Sequence, residues 1–78
     1  MTETAERIIG LAAERFGREP ASLAPDDDVF DALGIDSVQV LELLSELELA
    51  FDVEIPDYEL RDVKTFAELA VQIDRRLG

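Results

Sequence analysis

Apolar residues recur at helical spacing in three stretches of the chain, and no stretch shows the period of two that a strand requires. The first stretch predicts a helix over residues 3 to 16, which Thr2 or Thr4 can cap. Gly17 is placed to end it in the left-handed conformation. Its predicted buried face consists of Ala5, Ile8, Ile9, Ala12 and Phe16.

The second stretch, residues 37 to 51, shows the strongest helical pattern. Its predicted buried residues are Val40, Leu43, Leu44, Leu47 and Phe51. At about 100° per residue, Val38, Glu42, Ser45 and Leu49 point outward, with Leu41 and Glu46 on the two flanks. Three outward positions are therefore apolar and are bordered by acids: Val38, Leu41 and Leu49.

The third stretch predicts a helix over residues 66 to 77. Thr65 and Glu68 have the spacing of a capping box, and arginines in the last turn suit the helix dipole. The predicted apolar face consists of Phe66, Leu69, Ala70, Ile73 and Leu77. Before this helix, Ile55 is expected to be buried, and Asp57 can cap a short helix that reaches about Arg61.

A long connection, residues 17 to 35, joins the first two helices. Pro20 and Pro25 interrupt it, and the run Asp26 to Asp28 is expected to repel itself in any regular element. Residues 30 to 33 can form a short helical turn, and Leu23, Val29, Phe30 and Leu33 are predicted to anchor the loop. The prediction is an all-α fold in one domain, residues 1–78: a small four-helix bundle with three main helices, one short helix and a long first loop.

The start of the second main helix carries the most specific local signal. Asp36 can cap the helix, and Gln39 lies three residues later, as in a capping box. Ser37 is then the first helical residue, with its hydroxyl at a helix end beside a loop. Two interpretations stay open from this chemistry alone: Ser37 only serves the helix start, or it is a site that another enzyme modifies.

Composition removes several classes of function. The chain has no histidine and no cysteine, so it lacks the usual general base, a Ser-His-acid triad and thiolate metal sites. We therefore expect no enzymatic activity and no resident metal. The run Asp26 to Asp28 lacks the spacing of an EF-hand calcium loop. The polar start of the chain and the absence of a long apolar run predict no signal peptide, no membrane span and a cytoplasmic location.

The net charge of −12 argues against nucleic acid as a partner and favours basic protein partners. No basic residue lies between Arg18 and Arg61, an interval that holds most of the acids and Ser37. One face is therefore expected to be almost purely negative. A simpler interpretation is that the acids only keep a small protein soluble.

The motif Leu33-Gly34-Ile35-Asp36-Ser37-Val38 and the later run Phe51-Asp52-Val53-Glu54-Ile55-Pro56-Asp57 resemble the acyl carrier protein family along nearly the whole chain. The resemblance implies that a phosphopantetheinyl transferase attaches 4'-phosphopantetheine from coenzyme A to Ser37. The thiol of this arm would carry an acyl group as a thioester. Asp36 would serve recognition by the transferase.

The resemblance also implies docking of acyl-loading and acyl-processing enzymes through basic patches. Glu42, Glu46 and Glu48 would meet arginine and lysine, and Val38 and Leu41 would add apolar contact. We name the predicted partner-binding residues of this helix the docking face: Val38, Gln39, Leu41, Glu42, Ser45, Glu46, Glu48 and Leu49. The protein is expected to be a monomer.

Three positions depart from the fatty-acid-type pattern: Gln39, Ser45 and the run Glu48-Leu49-Ala50. They leave two pathways open: fatty-acid biosynthesis, and a dedicated pathway in which the carrier is loaded with a polyketide intermediate, a small hydroxy or amino acid, or a modified fatty acid. An aminoacyl or peptidyl carrier of a non-ribosomal pathway is the neighbouring alternative. An acidic helical adaptor without a prosthetic group is the alternative from another class. If a cavity shelters the acyl chain, its lining would come from Val40, Leu44, Ile55, Leu60 and Ala70.

Overall fold

A computed structural model describes residues 3–56 and 63–77. This part of the chain forms four α-helices and contains no strand beyond one isolated bridge. The helices are α1 (Glu3–Phe16), α2 (Val29–Leu33), α3 (Ser37–Phe51) and α4 (Phe66–Leu77), with a 3-10 turn at Pro20–Ser22. The predicted all-α class and the bounds of the three main helices are confirmed. The short helix predicted from Asp57 lies outside the described residues.

Local capping explains where the helices begin and end. The backbone N–H of Glu68 donates to Thr65 Oγ1 at 3.1 Å, and the Glu68 carboxylate accepts from the N–H of Thr65 at 3.0 Å. This is the capping box predicted for the start of α4. Gly17 follows α1 with φ 66°, and the next N–H, of Arg18, donates to the carbonyl of Ala13 at 2.8 Å.

The aspartates of the first loop help to organise it: Asp26 and Asp27 lie outside any helix, and Asp28 is the cap that precedes α2. Asp28 Oδ1 accepts from the N–H groups of Phe30 (2.9 Å) and Asp31 (3.1 Å), which caps α2. Asp27 Oδ2 accepts from the N–H of Ala24 at 2.9 Å. Each of these two carboxylates satisfies at least one backbone donor, so both aspartates stabilise the local shape of the loop.

The loop is also tied to the start of α4. The N–H of Val29 donates to the carbonyl of Lys64 at 2.7 Å, and the N–H of Ala67 donates to that of Pro25 at 2.9 Å. Leu23, Val29 and Leu33 are buried, as predicted for loop anchors, whereas Phe30 is only half-buried. These bonds hold the segment before Ser37 against the bundle.

One apolar core joins the helices and the loop. It consists of Ala5, Ile8, Ile9, Ala12, Ala13, Leu23, Val29, Leu33, Leu43, Leu44, Leu47, Phe51, Ile55, Phe66, Leu69, Ala70 and Ile73. Three residues of the main helices that were predicted to be buried are not. Phe16 and Val40 are half-buried at the edge of this cluster, because each lies within a turn of an end of its helix. Leu77 is 54% exposed, since it ends α4 beyond the last core residue.

No helix in the described ranges is long and apolar enough to cross a membrane.

Candidate functional site

The turn that leads to Ser37 is fixed by backbone bonds. α2 ends at Leu33, and Gly34 then adopts φ 65°, a conformation that glycine takes at low cost. The N–H groups of Gly34 and Ile35 both donate to the carbonyl of Phe30, the latter at 3.1 Å. The Ile35 side chain is half-buried and packs against the core. The chain therefore reverses between α2 and α3 in one defined way.

Arg18 supports the same turn from the other side. Its Nη2 donates to the carbonyl of Leu33 at 3.1 Å. A Cβ atom at Gly34 would lie 3.3 Å from this Nη2, so the absence of a side chain at Gly34 leaves space for the guanidinium. Reasoning from the sequence missed this contact. The available signal was that Arg18 directly follows Gly17, where the chain turns back after α1.

Asp36 and Gln39 form the predicted capping box at the start of α3. Asp36 is extended (φ −102°, ψ −178°), and its Oδ1 accepts from the N–H of Gln39 at 2.9 Å. Gln39 Oε1 accepts from the N–H of Asp36 at 3.1 Å. Ser37 is the first residue of the helix, and it is exposed. The box thus fixes the backbone on both sides of the serine.

The surroundings of Ser37 suit a covalently attached phosphate. The first N–H groups of an α-helix have no intrahelical carbonyl to donate to, and the helix dipole favours an anion there. The N–H of Gln39 already donates to Asp36, and the start of a helix is a favourable environment for a phosphate group. An exposed hydroxyl on a rigid helix start therefore fits 4'-phosphopantetheine, with Ser37 as the residue that would hold it.

The eight residues of the docking face all lie on α3, but its polar side chains already make hydrogen bonds or ion pairs inside the protein. Gln39 belongs to the capping box, and Ser45 Oγ donates to the carbonyl of Leu41 at 3.2 Å. Glu48 Oε2 accepts from the N–H of Ile55 at 2.9 Å and so holds the chain that follows the helix. The apolar members are exposed: Val38 by 65%, Leu41 by 47% and Leu49 by 85%.

The other two acids of α3, Glu42 and Glu46, are bound by one arginine of α1. Arg15 Nη2 donates to Glu42 Oε2 at 3.0 Å, and Arg15 Nη1 donates to Glu46 Oε2 at 2.9 Å. The hydrogen bond to Glu46, followed by that to Glu42, raises the pKa of Arg15 above its ordinary value. The guanidinium bridges α1 to α3.

Arg15 brings a positive charge to this side of α3, which is therefore not purely negative. Arg7 also lies against the helix: its Nη2 donates to the carbonyl of Ala50 at 3.3 Å, and its guanidinium lies 4.6 Å from the centroid of the Phe51 ring. A stretch of sequence that lacks basic residues can still have basic residues beside it on the folded surface. The arginines of α1 are long enough to reach α3 when the two helices pack together.

The family model for the phosphopantetheine attachment site matches residues 6–77. An acyl carrier protein of Syntrophobacter fumaroxidans is 38% identical over 63 residues, which cover 81% of this chain and 78% of that protein. One of Zymomonas mobilis is 36% identical over 74 residues, or 95% of each chain. A third, of Amoebophilus asiaticus, is 26% identical over 78 residues, which cover 100% of this chain and 98% of that protein.

These relatives are carriers by name, and the matched model describes the attachment of a prosthetic group rather than a catalytic centre. The match covers α1 almost from its start through the end of α4, so it includes the capped helix start with its exposed serine. Geometry and similarity agree: the chain belongs to the acyl carrier protein family, whose members are non-enzymatic and carry phosphopantetheine.

Proposed function

We propose that Ser37 is the residue that carries 4'-phosphopantetheine and that the protein presents acyl groups on this arm to enzymes of a dedicated biosynthetic pathway. The observation that carries the proposal is the exposed Ser37 at the first position of α3, held by the Asp36–Gln39 capping box. When bound, the arm supplies the terminal thiol that carries the acyl group as a thioester, a function for which the chain itself has no cysteine.

The protein's own residues orient the attachment point. Gly34 and Arg18 fix the turn, and Asp36 and Gln39 fix the first helical turn. The Ser37 hydroxyl is thus presented to the transferase from a rigid element, which lowers the conformational entropy lost when the two proteins meet. Asp36 adds a negative charge beside the serine, to which a basic group of the transferase can bind.

The docking face supports partners that combine apolar and basic contact. Val38 and Leu41 are exposed within the first two turns of α3, beside the attachment point. Exposed apolar side chains close to a functional residue contribute contact area that excludes water when a partner binds. Basic residues of acyl-loading and acyl-processing enzymes would surround this contact, because the carrier has a net charge of −12.

The departures on α3 favour a dedicated pathway. Gln39 and Ser45, at positions where fatty-acid-type carriers usually have an acid and a bulky apolar residue, both make hydrogen bonds within the helix or its cap. They therefore leave less charge and less apolar surface for partners of the fatty-acid type. A polyketide intermediate, a small hydroxy or amino acid, or a modified fatty acid is the cargo class that we infer.

Incubation with coenzyme A and a broad-specificity phosphopantetheinyl transferase tests the attachment, with the intact mass as the readout. Wild type is expected to gain one arm, and Ser37→Ala is expected to gain none. Ser22→Ala is the matched control, because Ser22 is also an exposed serine but lies in the 3-10 turn, outside the docking face, and should leave the reaction intact. A Ser37→Ala protein that still gains the arm, or a wild type that stays unmodified while a known carrier reacts, would refute the proposal.

A further inference from the structure

We propose that Arg15 is a built-in competitor for the basic residues of partner enzymes: a partner's arginine or lysine must take Glu42 and Glu46 from Arg15 before it can bind them. This inference rests on the proposed carrier function and goes beyond it. It identifies the residue on α1 that regulates how strongly partners bind to α3, and therefore which partners bind.

The first support is the geometry of the ion pairs. One guanidinium donates to both carboxylates through two different nitrogens, at 3.0 Å to Glu42 and 2.9 Å to Glu46. The two glutamates are four residues apart, so they lie one turn apart on the same side of α3. A partner's cation that docked there would seek these same oxygens, and Arg15 already binds them in the free protein.

The second support is that all three groups remain accessible. The side chains of Arg15, Glu42 and Glu46 are 35%, 54% and 37% exposed. Ion pairs at this exposure are weak and exchangeable, so a partner can displace Arg15 without disrupting the fold. A fully buried pair would instead be a structural contact that no partner could open.

The third support is that the remaining glutamate of α3 is also bound within the protein, whereas apolar side chains of the helix are exposed. Glu48, the remaining acid of the helix, accepts from the N–H of Ile55. Within the described structure, every glutamate of α3 therefore has a hydrogen-bond donor of its own before a partner arrives. Val38 and Leu41 are 65% and 47% exposed, so a partner that fits this face relies more on apolar contact than on charge.

These contacts indicate what chemistry a partner needs in order to bind α3. A partner with an apolar side chain opposite Val38 and Leu41, and a basic residue strong enough to replace Arg15, binds well. A partner that relies on cations alone binds weakly, because each cation that it brings only replaces an existing one. Arg15 thus selects against purely electrostatic partners.

Direct binding to the transferase tests the competition without any acyl transfer. All variants carry Ser37→Ala, so that none can be modified, and the affinity for a broad-specificity transferase is measured by calorimetric titration at low salt. Arg15→Gln is compared with Arg75→Gln, which removes the same charge from an exposed position in the last turn of α4. Arg15→Gln is expected to bind the transferase about three- to fivefold more tightly than Arg75→Gln. This factor corresponds to the free energy of an exposed ion pair that no longer has to be broken.

A second set of variants assigns this gain to the glutamates. With Glu42→Gln and Glu46→Gln present, Arg15→Gln and Arg75→Gln should bind equally, since no carboxylate is left to compete for. Equal affinities of the two arginine variants in the original background would overturn the inference. Weaker binding of Arg15→Gln would also overturn it, because Arg15 would then itself contact the partner. Melting curves of each variant confirm that the helices are intact.

These outcomes are separable from those of the proposed function. If wild type gains the arm but the arginine variants bind alike, only the competition is wrong. If wild type gains no arm, the carrier function itself is wrong, whatever the affinities show.

Discussion

Replacement of Asp36 by alanine tests how the attachment point is held. The structure gives Asp36 one side-chain bond, from Oδ1 to the N–H of Gln39 at 2.9 Å, and Gln39 returns a bond to the N–H of Asp36 at 3.1 Å. Alanine removes the first bond and leaves the second possible. Loss of an N-cap acceptor costs about 1 kcal/mol of unfolding free energy, within a range of roughly 0.5–2 kcal/mol. In a domain of this size, that corresponds to a fall in Tm of about 4–8 °C.

Asp36→Asn is the matched control, because its amide oxygen can accept the same bond while the charge is lost. We expect it to lose only a few tenths of a kcal/mol, from the weaker interaction with the helix dipole. Gln39→Ala removes only the return bond, so its loss should be smaller than that of Asp36→Ala. Urea denaturation followed by circular dichroism, with Tm as a second readout, measures all three variants.

Two results would contradict this role of the capping box. If Asp36→Ala is as stable as wild type, the capping box does not hold the start of α3. If Asp36→Asn loses as much as Asp36→Ala, the charge rather than the hydrogen bond carries the effect. In the expected case, Asp36→Asn keeps its stability but is modified more slowly by the transferase, because the acid beside Ser37 is gone.

Two further predictions concern the turn before Ser37 and the start of α4. Gly34→Ala should lose about 1–2 kcal/mol of unfolding free energy, because Gly34 has a left-handed φ of 65°. The loss should exceed that of Gly17→Ala, since Gly17 has a similar φ of 66° but open space where a Cβ would lie, whereas a Cβ at Gly34 would meet Arg18. Equal losses in denaturation would refute the role of Arg18. Glu68 has a lowered pKa, chiefly because the N–H groups of Lys64 and Thr65 donate to its carboxylate. Its contribution to stability is therefore present above pH 4.5, the ordinary value, and lost as the pH falls through the lowered pKa. Glu68→Gln should flatten this part of the Tm–pH curve, and parallel curves for the two proteins would contradict the assignment.

The main helices could be predicted from the sequence because their ends depend on neighbours in the chain. The capping box of Asp36 and Gln39 spans four residues, and Gly17 ends α1 through its own backbone. The exposure of Val38 and Leu49 also followed, since helical spacing alone determines which side of α3 they occupy. For the same reason, local spacing was enough to place Ser37 at the first helical position.

The arginine contacts could not be predicted, because they join residues far apart in the chain. Arg15 reaches Glu42 and Glu46 across 27 and 31 residues, and Arg18 reaches Leu33 across 15. Which side chain meets which depends on how α1 packs against α3, and long flexible side chains add many alternatives. The capping function of Asp28 was missed for another reason: adjacent aspartates suggested repulsion, whereas the carboxylates of Asp27 and Asp28 accept from nearby backbone N–H groups.

The assignment of Ser37 as the attachment site can be tested by mapping the prosthetic group on protein purified from its native host. The protein is digested, and tandem mass spectrometry locates the arm on a peptide. We expect 4'-phosphopantetheine on Ser37 and on no other residue, and no arm on a Ser37→Ala protein expressed in the same host. An arm on another residue, or native protein that is entirely unmodified, would contradict the assignment of Ser37 as the attachment site.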